Sequence, residues 1–443
     1  MVFVPQCSEF SQRIHSRPSD SLYLSRGSSW SGGFSRGSGR RRPILPVPWK
    51  MRNLCPAEHP LTRLLIATTI QATLEGFLLP YAVHFRAQGW TVDALARGVT
   101  KSIPCGEAFD RCFEADWTRN PLDIGGLIRS AAALRSRVIH GRYDLVHVHT
   151  PVAAFITRFA LRQLRRDRNL KVVYTAHGFH FHEGRDALGN AAFAAAERLA
   201  GRWTDRLVVI NRTDEREALK RRIVTPDRLR YLPGIGLDLR HYSPETVTPE
   251  QVEGVRRELG LQPGQPLFLM VAEFNPGKRH RDLLAAFAAL DVPSAHLAFA
   301  GNGPELEGLR RWCSERGLGE RVHFLGHRRD IPSLMRASLA TVLPSEREGL
   351  PRSVMESMAL GVPVIGSNAR GVRDLLDECG GLQVAVGDSA GLKAAMLRLL
   401  GDPEAARRTG EAARNKMGVY DIANLLRHHE ELYHELLCDQ EGR

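Results

Sequence analysis

The sequence predicts an α/β protein with two Rossmann-like, doubly wound parallel-sheet domains that face each other across a cleft. Short runs rich in β-branched residues alternate with helical stretches, which is typical of parallel sheets covered by helices. The alternation pauses over residues 233–250, which are rich in Pro, Gly and Thr, and then begins again. Ligands of such sheets bind beyond the carboxyl ends of the strands, so we expect a ligand site between the two domains.

Each half of the chain contains six predicted strands. In the first half they are residues 63–68, 91–96, 144–149, 171–176, 206–211 and 228–233. In the second half they are residues 266–273, 295–301, 321–326, 339–344, 362–367 and 382–386. The predicted domains are therefore residues 61–240 and 241–420, with an amphipathic helix in 421–443 that packs back on the body.

The net charge of +12 is unevenly distributed along the 443 residues. Residues 1–60 carry +6, residues 61–240 carry +10 and residues 241–443 carry −4. The first segment is Ser/Gly/Arg-rich and lacks an apolar period, which predicts a disordered tail. Such a tail suits a dispensable segment. Met1 and Met51 are therefore both candidates for the natural start of translation.

Composition excludes several function classes. The seven cysteines form no C-x-x-C pair, which argues against a zinc ribbon or a disulfide framework and favours a reducing, cytoplasmic setting. The sequence contains no run of about 18 uncharged apolar residues, so no membrane span is predicted. Without the tail the chain carries only +6, and no basic motif with interleaved aromatics appears, so no nucleic-acid partner is predicted.

The strongest functional signal lies in residues 343–365, where a predicted strand, a short loop and a helix follow one another. The N–H groups of Gly349 and Leu350 would be free near the helix N-terminus, where anions bind. Glu348 and Glu356 lie on either side, and carboxylates accept hydrogen bonds from hydroxyl groups. An ordinary solvated helix start is the alternative. The flanking Gly-Leu-Pro and the strand that follows favour a site for a diphosphate bearing polyols.

Two further loops between a strand and a helix are candidate phosphate contacts. In residues 269–287 such a loop carries Lys278 and Arg279, and cations there suit phosphate, although solvated charge is an equally open interpretation. In residues 297–309 a Gly-rich turn contains Gly301, a weak signal when taken alone.

Histidines cluster after the strand 171–176. His177, His180 and His182 lie close together, but a fourth ligand at a recognisable spacing and a D-x-D motif are both lacking, so no metal site is predicted. A hydroxyl-binding histidine and a satisfied loop histidine both remain open for His177. His149, at the end of a strand facing the expected cleft, has the same two interpretations.

In this order and spacing, the motifs resemble the carboxy-terminal domain of family 4 glycosyltransferases of the GT-B fold. The resemblance covers roughly Leu61 to Tyr420 and extends to residues 147–154, 174–181, 233–238 and 324–338. It is strongest with bacterial enzymes that build exopolysaccharide or capsule repeat units on a lipid carrier. It implies an acceptor domain over 61–240 and a nucleotide-sugar donor domain over 241–420.

The resemblance also implies roles for individual residues. Glu348 would contact the donor sugar and Glu356 the nucleotide ribose, while Lys278 would hold the diphosphate. The segment from Leu325 to Arg328 would lie near the base. The implied catalytic residues are Glu348, His177 and Lys278, and the implied donor-binding residues are Lys278, Arg279, Leu325, Gly349, Leu350 and Glu356.

Two departures from the family pattern affect these expectations. Many relatives carry a second phosphate cation where this chain has Glu273, so we expect Arg279 or Arg352 to supply it. Relatives often have a Gly pair after the first strand, which the loop 67–77 lacks. The acceptor contacts, assigned to His149 and Thr69, are therefore the least transferable.

The resemblance implies a metal-independent, retaining transfer from a nucleotide sugar, with UDP preferred, to a hydroxyl of a polyprenyl-diphosphate-linked saccharide. No cofactor is expected. Arg-rich stretches at 158–171 and 215–230 suit an anionic membrane surface, so a cytoplasmic protein peripheral to the inner face is expected, although a solvated Arg-rich face is equally open. The alternative function is a sugar-nucleotide isomerase of the 2-epimerase type, which would not need the two spaced glutamates.

Overall fold

The structure is a computed structural model that describes residues 62–117, 124–167, 170–181 and 185–438. The predicted tail over residues 1–60 and the histidine at position 182 lie outside these ranges. Across the ranges described, none of the helices combines the length and the apolar character that crossing a bilayer requires.

The first domain is built on a parallel sheet of seven strands in the order β3-β2-β1-β4-β5-β6-β7. Its strands are β1 (Arg63–Ile70), β2 (Thr91–Arg97), β3 (Arg111–Glu114), β4 (Leu145–His149), β5 (Lys171–Ala176), β6 (Arg206–Val209) and β7 (Leu229–Tyr231). The order reverses between β1 and β4, which is the point where doubly wound sheets open a crevice for ligands. The loops after β1, β4 and β5 therefore meet at one edge of the sheet.

The second domain has a parallel sheet of six strands in the order β10-β9-β8-β11-β12-β13. Its strands are β8 (Leu267–Val271), β9 (His296–Ala300), β10 (Val322–Phe324), β11 (Ala340–Leu343), β12 (Val364–Ser367) and β13 (Leu382–Val384). Here the order reverses between β8 and β11. The loops that contain Lys278 and Glu348 follow these two strands and so lie at the crevice.

The helices cover both faces of each sheet. In chain order they are α1 (Gln71–Thr73), α2 (Leu79–Ala87), α3 (Ile103–Ala108), α4 (Ile124–Gly141), α5 (Pro151–Leu161), α6 (Leu164–Asp167), α7 (Ala187–Gly201), α8 (Arg212–Lys220), α9 (Pro249–Glu258), α10 (His280–Ala288), α11 (Leu306–Ser314), α12 (Ile331–Ala337), α13 (Arg352–Ala359), α14 (Val372–Cys379), α15 (Ser389–Gly401), α16 (Pro403–Arg414) and α17 (Ile422–Cys438). A π-helical turn, Leu74–Leu78, joins α1 to α2.

Helix α17 follows the second domain in sequence but packs on the first sheet. Leu425, Leu432 and Tyr433 are 0–3% exposed and belong to the same apolar cluster as Leu64 of β1 and Phe85 of α2. The chain therefore crosses between the domains twice.

The two crossings lie side by side. The N–H of Leu237, in the first crossing, donates to the carbonyl of Tyr420 at 2.9 Å, and the N–H of Ile422 donates to the carbonyl of Leu237 at 3.0 Å. Gly236 has a φ of +80°, and a Cβ there would lie 2.4 Å from the side chain of Ile422. A glycine at this position thus permits the close approach of the two segments.

The predicted fold class is confirmed, and each of the twelve predicted strands is present with ends shifted by a few residues. The sequence patterns did not predict strand β3. It has only four residues, lies at the sheet edge, and has the sequence Arg-Cys-Phe-Glu with both ends exposed. Such a segment has neither the apolar run nor the alternation by which a strand is recognised.

Candidate active site

The loop between β11 and α13 brings the second domain into contact with the first. A Cβ on Gly349 would lie 1.8 Å from the carbonyl oxygen of His177, so only glycine allows this approach. The Asn211 amide donates to the carbonyl of Gly349 at 2.9 Å, from the first domain. Glu348 and the backbone beside it are thereby fixed next to the loop that follows β5.

Lys278 and Glu348 form an ion pair across two loops of the second domain. The Lys278 Nζ lies 2.5 Å from the Glu348 Oε1, and both side chains are largely buried. The loops are joined by a backbone hydrogen bond of 2.9 Å from Glu346 to Gly277. The Lys278 ammonium and the Glu348 carboxylate are 70 residues apart in sequence. The fold therefore brings them into direct contact.

The N–H groups of Gly349 and Leu350 are free of acceptors among the residues described. They lie immediately before α13, whose first residue is Arg352. The partial positive charge of a helix N-terminus adds to the charge of Lys278 beside it. Together they make an environment that stabilises an anion.

Glu356 is buried inside α13, with 6% of its surface exposed. Its Oε1 accepts a hydrogen bond of 2.8 Å from the Arg352 Nε, and the Arg352 guanidinium also lies 5.9 Å from the ring centre of Tyr242. Burial works to lower the pKa of Arg352, but Glu356 and Tyr242 outweigh it and raise that pKa above its usual value. Arg352 in turn donates to the carbonyl of Gly76 at 2.6 Å, which links α13 to the π-helical turn of the first domain.

Three loop ends of the second sheet pack closely against one another. A Cβ on Gly301 would lie 2.0 Å from the carbonyl oxygen of Ala272, and one on Gly303 would lie 2.4 Å from that of Phe274. Gly301 donates to the carbonyl of Gly326 at 2.7 Å. These glycines bring the segment around Leu325 against the loop that leads to Lys278.

Buried histidines line the first-domain side of the site. The His149 Nδ1 and the His177 Nε2 are 3.0 Å apart, and His147 bonds to the hydroxyl groups of Thr175 and Tyr433. Burial lowers the pKa of His177 to about 4. Its ring is therefore neutral at pH 7 and can exchange a hydrogen bond with a hydroxyl without bringing a charge.

A cavity of about 720 Å³ opens between the domains at this point. Arg185 and Asp186 line it from the first domain, and Asn275, Gly277, Lys278, Glu346 and Arg347 line it from the second. Three of the seven lining residues are cationic and two are acidic, so the lining has a small excess of positive charge, which suits an anionic ligand.

Two further contacts hold the cleft walls together. Arg370 of the second domain pairs with the buried Asp214 at 2.9 Å and donates to the carbonyls of Phe179 and Phe181. The backbone and hydroxyl of Thr213 donate to the Asp374 carboxylate at 3.1 and 3.0 Å.

Comparison with known proteins identifies the chain. Residues 251–416 match the family described as Glycosyl transferases group 1, and residues 77–235 match Glycosyltransferase Family 4. EpsD of Bacillus subtilis (strain 168), whose glycosyltransferase name is provisional, is 31% identical over 84% of this chain and 96% of its own length. The chain belongs to glycosyltransferase family 4.

Other relatives of this glycosyltransferase carry more specific names. An Escherichia coli UDP-Gal:alpha-D-GlcNAc-diphosphoundecaprenol alpha-1,3-galactosyltransferase is 28% identical over 62% of this chain and 71% of its own length. Among solved structures, Anabaena HepE in complex with UDP covers 84% of this chain and 99% of its own, with a TM-score of 0.70 and 19% identity. Sucrose-phosphate synthase from Thermosynechococcus elongatus has a TM-score of 0.70 at 21% identity, covering 85% of this chain and all of its own. These solved structures share the GT-B fold.

Most of the residues singled out from the glycosyltransferase sequence converge on one cleft. Lys278, Glu348 and Gly349 meet there, and His177 faces them from the first domain. His149 lies behind His177 and is only 2% exposed. The Thr69 hydroxyl is 2.7 Å from that of Thr150, a residue with a φ of +67° next to His149.

Arg279 and Arg352, which we expected to replace the phosphate cation missing at Glu273, both contact other groups of the protein. Arg279 pairs with Asp282 and lies 3.9 Å from Glu346. Arg352 is bound to Glu356 and to the carbonyl of Gly76.

Part of the predicted basic surface is internal. Arg158 is 1% exposed, pairs with Glu197 at 2.9 Å and lies 4.2 Å from the ring centre of Tyr174. Arg230 pairs with Glu435 of α17. A basic run in sequence does not distinguish arginines in solvent from arginines that fasten helices together.

Several residues of the site are not part of any sequence motif described above. Arg185 and Arg347 line the cavity from opposite domains, and Arg370 joins its walls. Gly76 and Phe77 lie in a π-helical turn, a deviation often found at functional sites. No group of three metal-ligating side chains occurs among the described residues, which do not include His182.

Proposed function

We propose that this glycosyltransferase transfers a sugar from a UDP-sugar to a hydroxyl group of a lipid-linked saccharide, with retention of anomeric configuration. The observation that carries the proposal is the meeting of Lys278, Glu348 and the free N–H groups of Gly349 and Leu350 at the domain cleft. A diphosphate has the charge and the acceptors for this arrangement.

The leaving group would be stabilised electrostatically. As the bond between the anomeric carbon and the diphosphate oxygen breaks, negative charge grows on the diphosphate, next to Lys278 and the N-terminus of α13. Lys278 would then exchange its contact with Glu348 for one with phosphate. Glu348 would be free to accept a hydrogen bond from a hydroxyl of the donor sugar.

The acceptor hydroxyl would bond to the anomeric carbon on the same face that the diphosphate leaves. Its proton would pass to the departing phosphate oxygen, so no separate base is required. His177, neutral and adjacent to Gly349, would hold a donor hydroxyl in place. The resemblance to retaining family 4 enzymes supports this course.

Glu356 would hold the ribose of the nucleotide. It lies eight residues after Glu348, and Arg352 orients its carboxylate by donating a hydrogen bond to it. The loop ends at Gly301 and Leu325 would lie against the base. UDP is supported by the printed names of HepE and of the E. coli galactosyltransferase, both of which contain UDP.

A lipid-linked acceptor in exopolysaccharide synthesis is supported by the E. coli relative, whose printed acceptor is a diphosphoundecaprenol-linked GlcNAc. Such a lipid lies at a membrane surface. Helix α7 presents Leu188, Ala192, Ala195 and Leu199 on one exposed face, with Leu188 82% exposed. Exposed arginines follow this face, including Arg198 and Arg202. We assign peripheral contact with an anionic membrane to α7.

The first test is calorimetric titration of the full chain with UDP and with GDP, without added metal. We expect micromolar UDP binding that falls at least tenfold in Glu356→Gln and is unchanged in Glu250→Gln, an exposed control on α9. Tight binding of GDP alone would replace the donor class. Folded protein that binds neither nucleotide would refute the proposed donor site. The anomeric configuration of the product, read by NMR, tests retention.

A further inference from the structure

The cavity between the domains contains two cations that the proposed donor site does not use. Arg185 and Arg347 line it from opposite domains. Among the described residues, neither guanidinium has a carboxylate within ion-pair distance. Elsewhere in the site, by contrast, Arg352 and Arg370 are both paired with carboxylates.

Arg347 is held in an electropositive environment. Burial lowers its pKa, and the neighbouring charges of Arg370 and Arg185 lower it further. Partly desolvated like charges repel one another unless an anion lies between or beside them. Arg370 is paired with Asp214 at 2.9 Å. The charges of Glu346 and Glu348 act on Arg347 in the opposite direction, but among the described residues their ion pairs are made with Arg279 and Lys278.

The acidic residues of the cavity are already engaged. The Asp186 carboxylate caps α7 by accepting the N–H of Gly189 at 2.6 Å. Glu346 lies 3.9 Å from Arg279. Among the described residues, neither carboxylate forms an ion pair with Arg185 or Arg347, so both guanidinium groups can bind an added anion.

Arg185 lies directly before the apolar helix α7. Its guanidinium is 4.7 Å from the ring centre of Phe193 on that helix. The exposed face of α7, including Leu188 and Leu199, begins three residues later. A ligand with an anionic head at Arg185 could therefore lay an apolar chain along α7.

We propose that Arg185 and Arg347 form a second anion subsite, in the same cavity as Lys278, that binds the diphosphate of an isoprenoid-linked acceptor. The inference rests on the proposed function, because it assigns a position to the lipid-linked acceptor of that reaction. A diphosphate diester carries two negative charges, which the two guanidinium groups match. Each guanidinium can donate two parallel hydrogen bonds to phosphate oxygens.

Three observations favour the acceptor over the donor as the source of this diphosphate. Lys278 and the free N–H groups of Gly349 and Leu350 already provide for one diphosphate. Arg185 belongs to the first domain, whereas the loops around Glu356 and Leu325 belong to the second. The exposed apolar face of α7 begins at Leu188, three residues after Arg185.

The test uses farnesyl diphosphate as the probe, titrated into the full chain saturated with UDP so that the donor site is filled. We expect binding by the unmodified chain, a tenfold or greater loss in Arg185→Gln and in Arg347→Gln, and partial retention in Arg347→Lys. Arg407→Gln, which changes an exposed ion pair on α16, is the control and should bind normally. UDP affinity should change less than twofold in all four variants.

Each other outcome overturns the assignment. If UDP affinity falls together with farnesyl diphosphate affinity, Arg185 and Arg347 serve the donor instead. If neither affinity changes, they are solvated arginines. If the unmodified chain binds UDP but not farnesyl diphosphate, the donor part of the proposed function survives and the acceptor site does not. Circular dichroism and UDP binding together identify a variant that has failed to fold.

Discussion

At the scale of single residues, the ion pair between Lys278 and Glu348 separates two tasks of the site. Lys278 faces the leaving diphosphate in the proposed reaction, and Glu348 faces the donor sugar. Because their atoms are 2.5 Å apart, any ligand that binds one of them alters the environment of the other. Nucleotide affinity and catalytic rate should therefore respond differently to changes at these two positions.

The substitution Glu348→Gln tests this separation. It keeps the shape of the side chain but removes the charge that neutralises Lys278. We expect kcat to fall about 100-fold, a typical effect of losing one stabilising polar contact at a reacting centre, while UDP affinity is kept or increased. Steady-state kinetics and calorimetry measure the two effects.

Glu346→Gln is the matched control, since Glu346 lies in the same loop and is 55% exposed. It should leave kcat within about threefold of the unmodified value. An equal loss in both variants would mean that loop charge, and not the position of Glu348, matters.

Gly349 of the second domain packs directly against the backbone of His177 of the first domain. Gly349→Ala would place a methyl carbon 1.8 Å from the carbonyl oxygen of His177, so the domains must separate or the loop must move. We expect at least a tenfold loss of kcat, because small displacements of reacting groups are costly. The melting temperature should change little, since neither hydrophobic core is affected.

The control for that substitution is Gly254→Ala in α9, where a Cβ meets nothing within 4 Å. Alanine is favoured over glycine in a helix by about 1 kcal/mol, so this variant should be as stable as the parent or more so. Full activity in Gly349→Ala would contradict the close packing described above.

At the scale of the element, α17 completes the core of the first domain. Leu432 is 3% exposed and lies in the cluster that includes β1 and α2. Leu432→Ala should lower the free energy of unfolding by about 2–5 kcal/mol, the usual range for removing a buried leucine. Urea unfolding followed by fluorescence measures the change.

Leu397→Ala on α15 is the comparison, because that leucine is 41% exposed. A change within about 0.5 kcal/mol is expected there. If the two variants were equally stable, α17 would not be part of the core.

The buried histidines connect α17 to the site and make stability depend on pH. His429, 3% exposed, packs among Tyr81, His147 and Tyr433, and burial lowers its pKa to about 4. In the unfolded chain a histidine titrates near 6.5. The unfolded state therefore binds more protons between these values, and stability is lost as the pH falls from about 6.5 towards 4.

Between pH 7 and pH 5 we expect His429 to remove about 2 kcal/mol from the free energy of unfolding. The measurement is the urea midpoint as a function of pH. His429→Gln should reduce the slope by this contribution and leave the part that comes from His147, His149 and His177, even if it lowers stability overall. His140→Gln, on an exposed histidine of α4, should leave it unchanged. An equal slope in the parent and in His429→Gln would disprove this origin.

At the scale of the whole molecule, the fold could be predicted from sequence because most strands and helices produce a recognisable local pattern of apolar residues. Parallel strands buried on both faces give short apolar runs, and the helices between them give a different period. The edge strand β3 has neither pattern, although it pairs with β2, the strand that precedes it along the chain.

The candidate site could be predicted only where it is encoded by consecutive residues. Glu348, Gly349 and Glu356 share one loop and helix, so their spacing is visible in the sequence. The cavity of Arg185 and Arg347 forms only when the two domains meet, and no local spacing describes it. For the same reason Arg352 could not be predicted to bond across the cleft to Gly76.

The return of α17 to the first domain has a consequence for biosynthesis. A chain emerging from the ribosome presents the first sheet before the second domain, but the helix that covers one face of that sheet appears only after the second domain. The first domain is thus begun before the second domain, but its core is completed only after the second domain has been synthesised. Until translation passes Cys438, an apolar surface around β1 and α2 remains uncovered and available to chaperones. A ribosome that stalls within the second domain would leave the first domain unfinished as well.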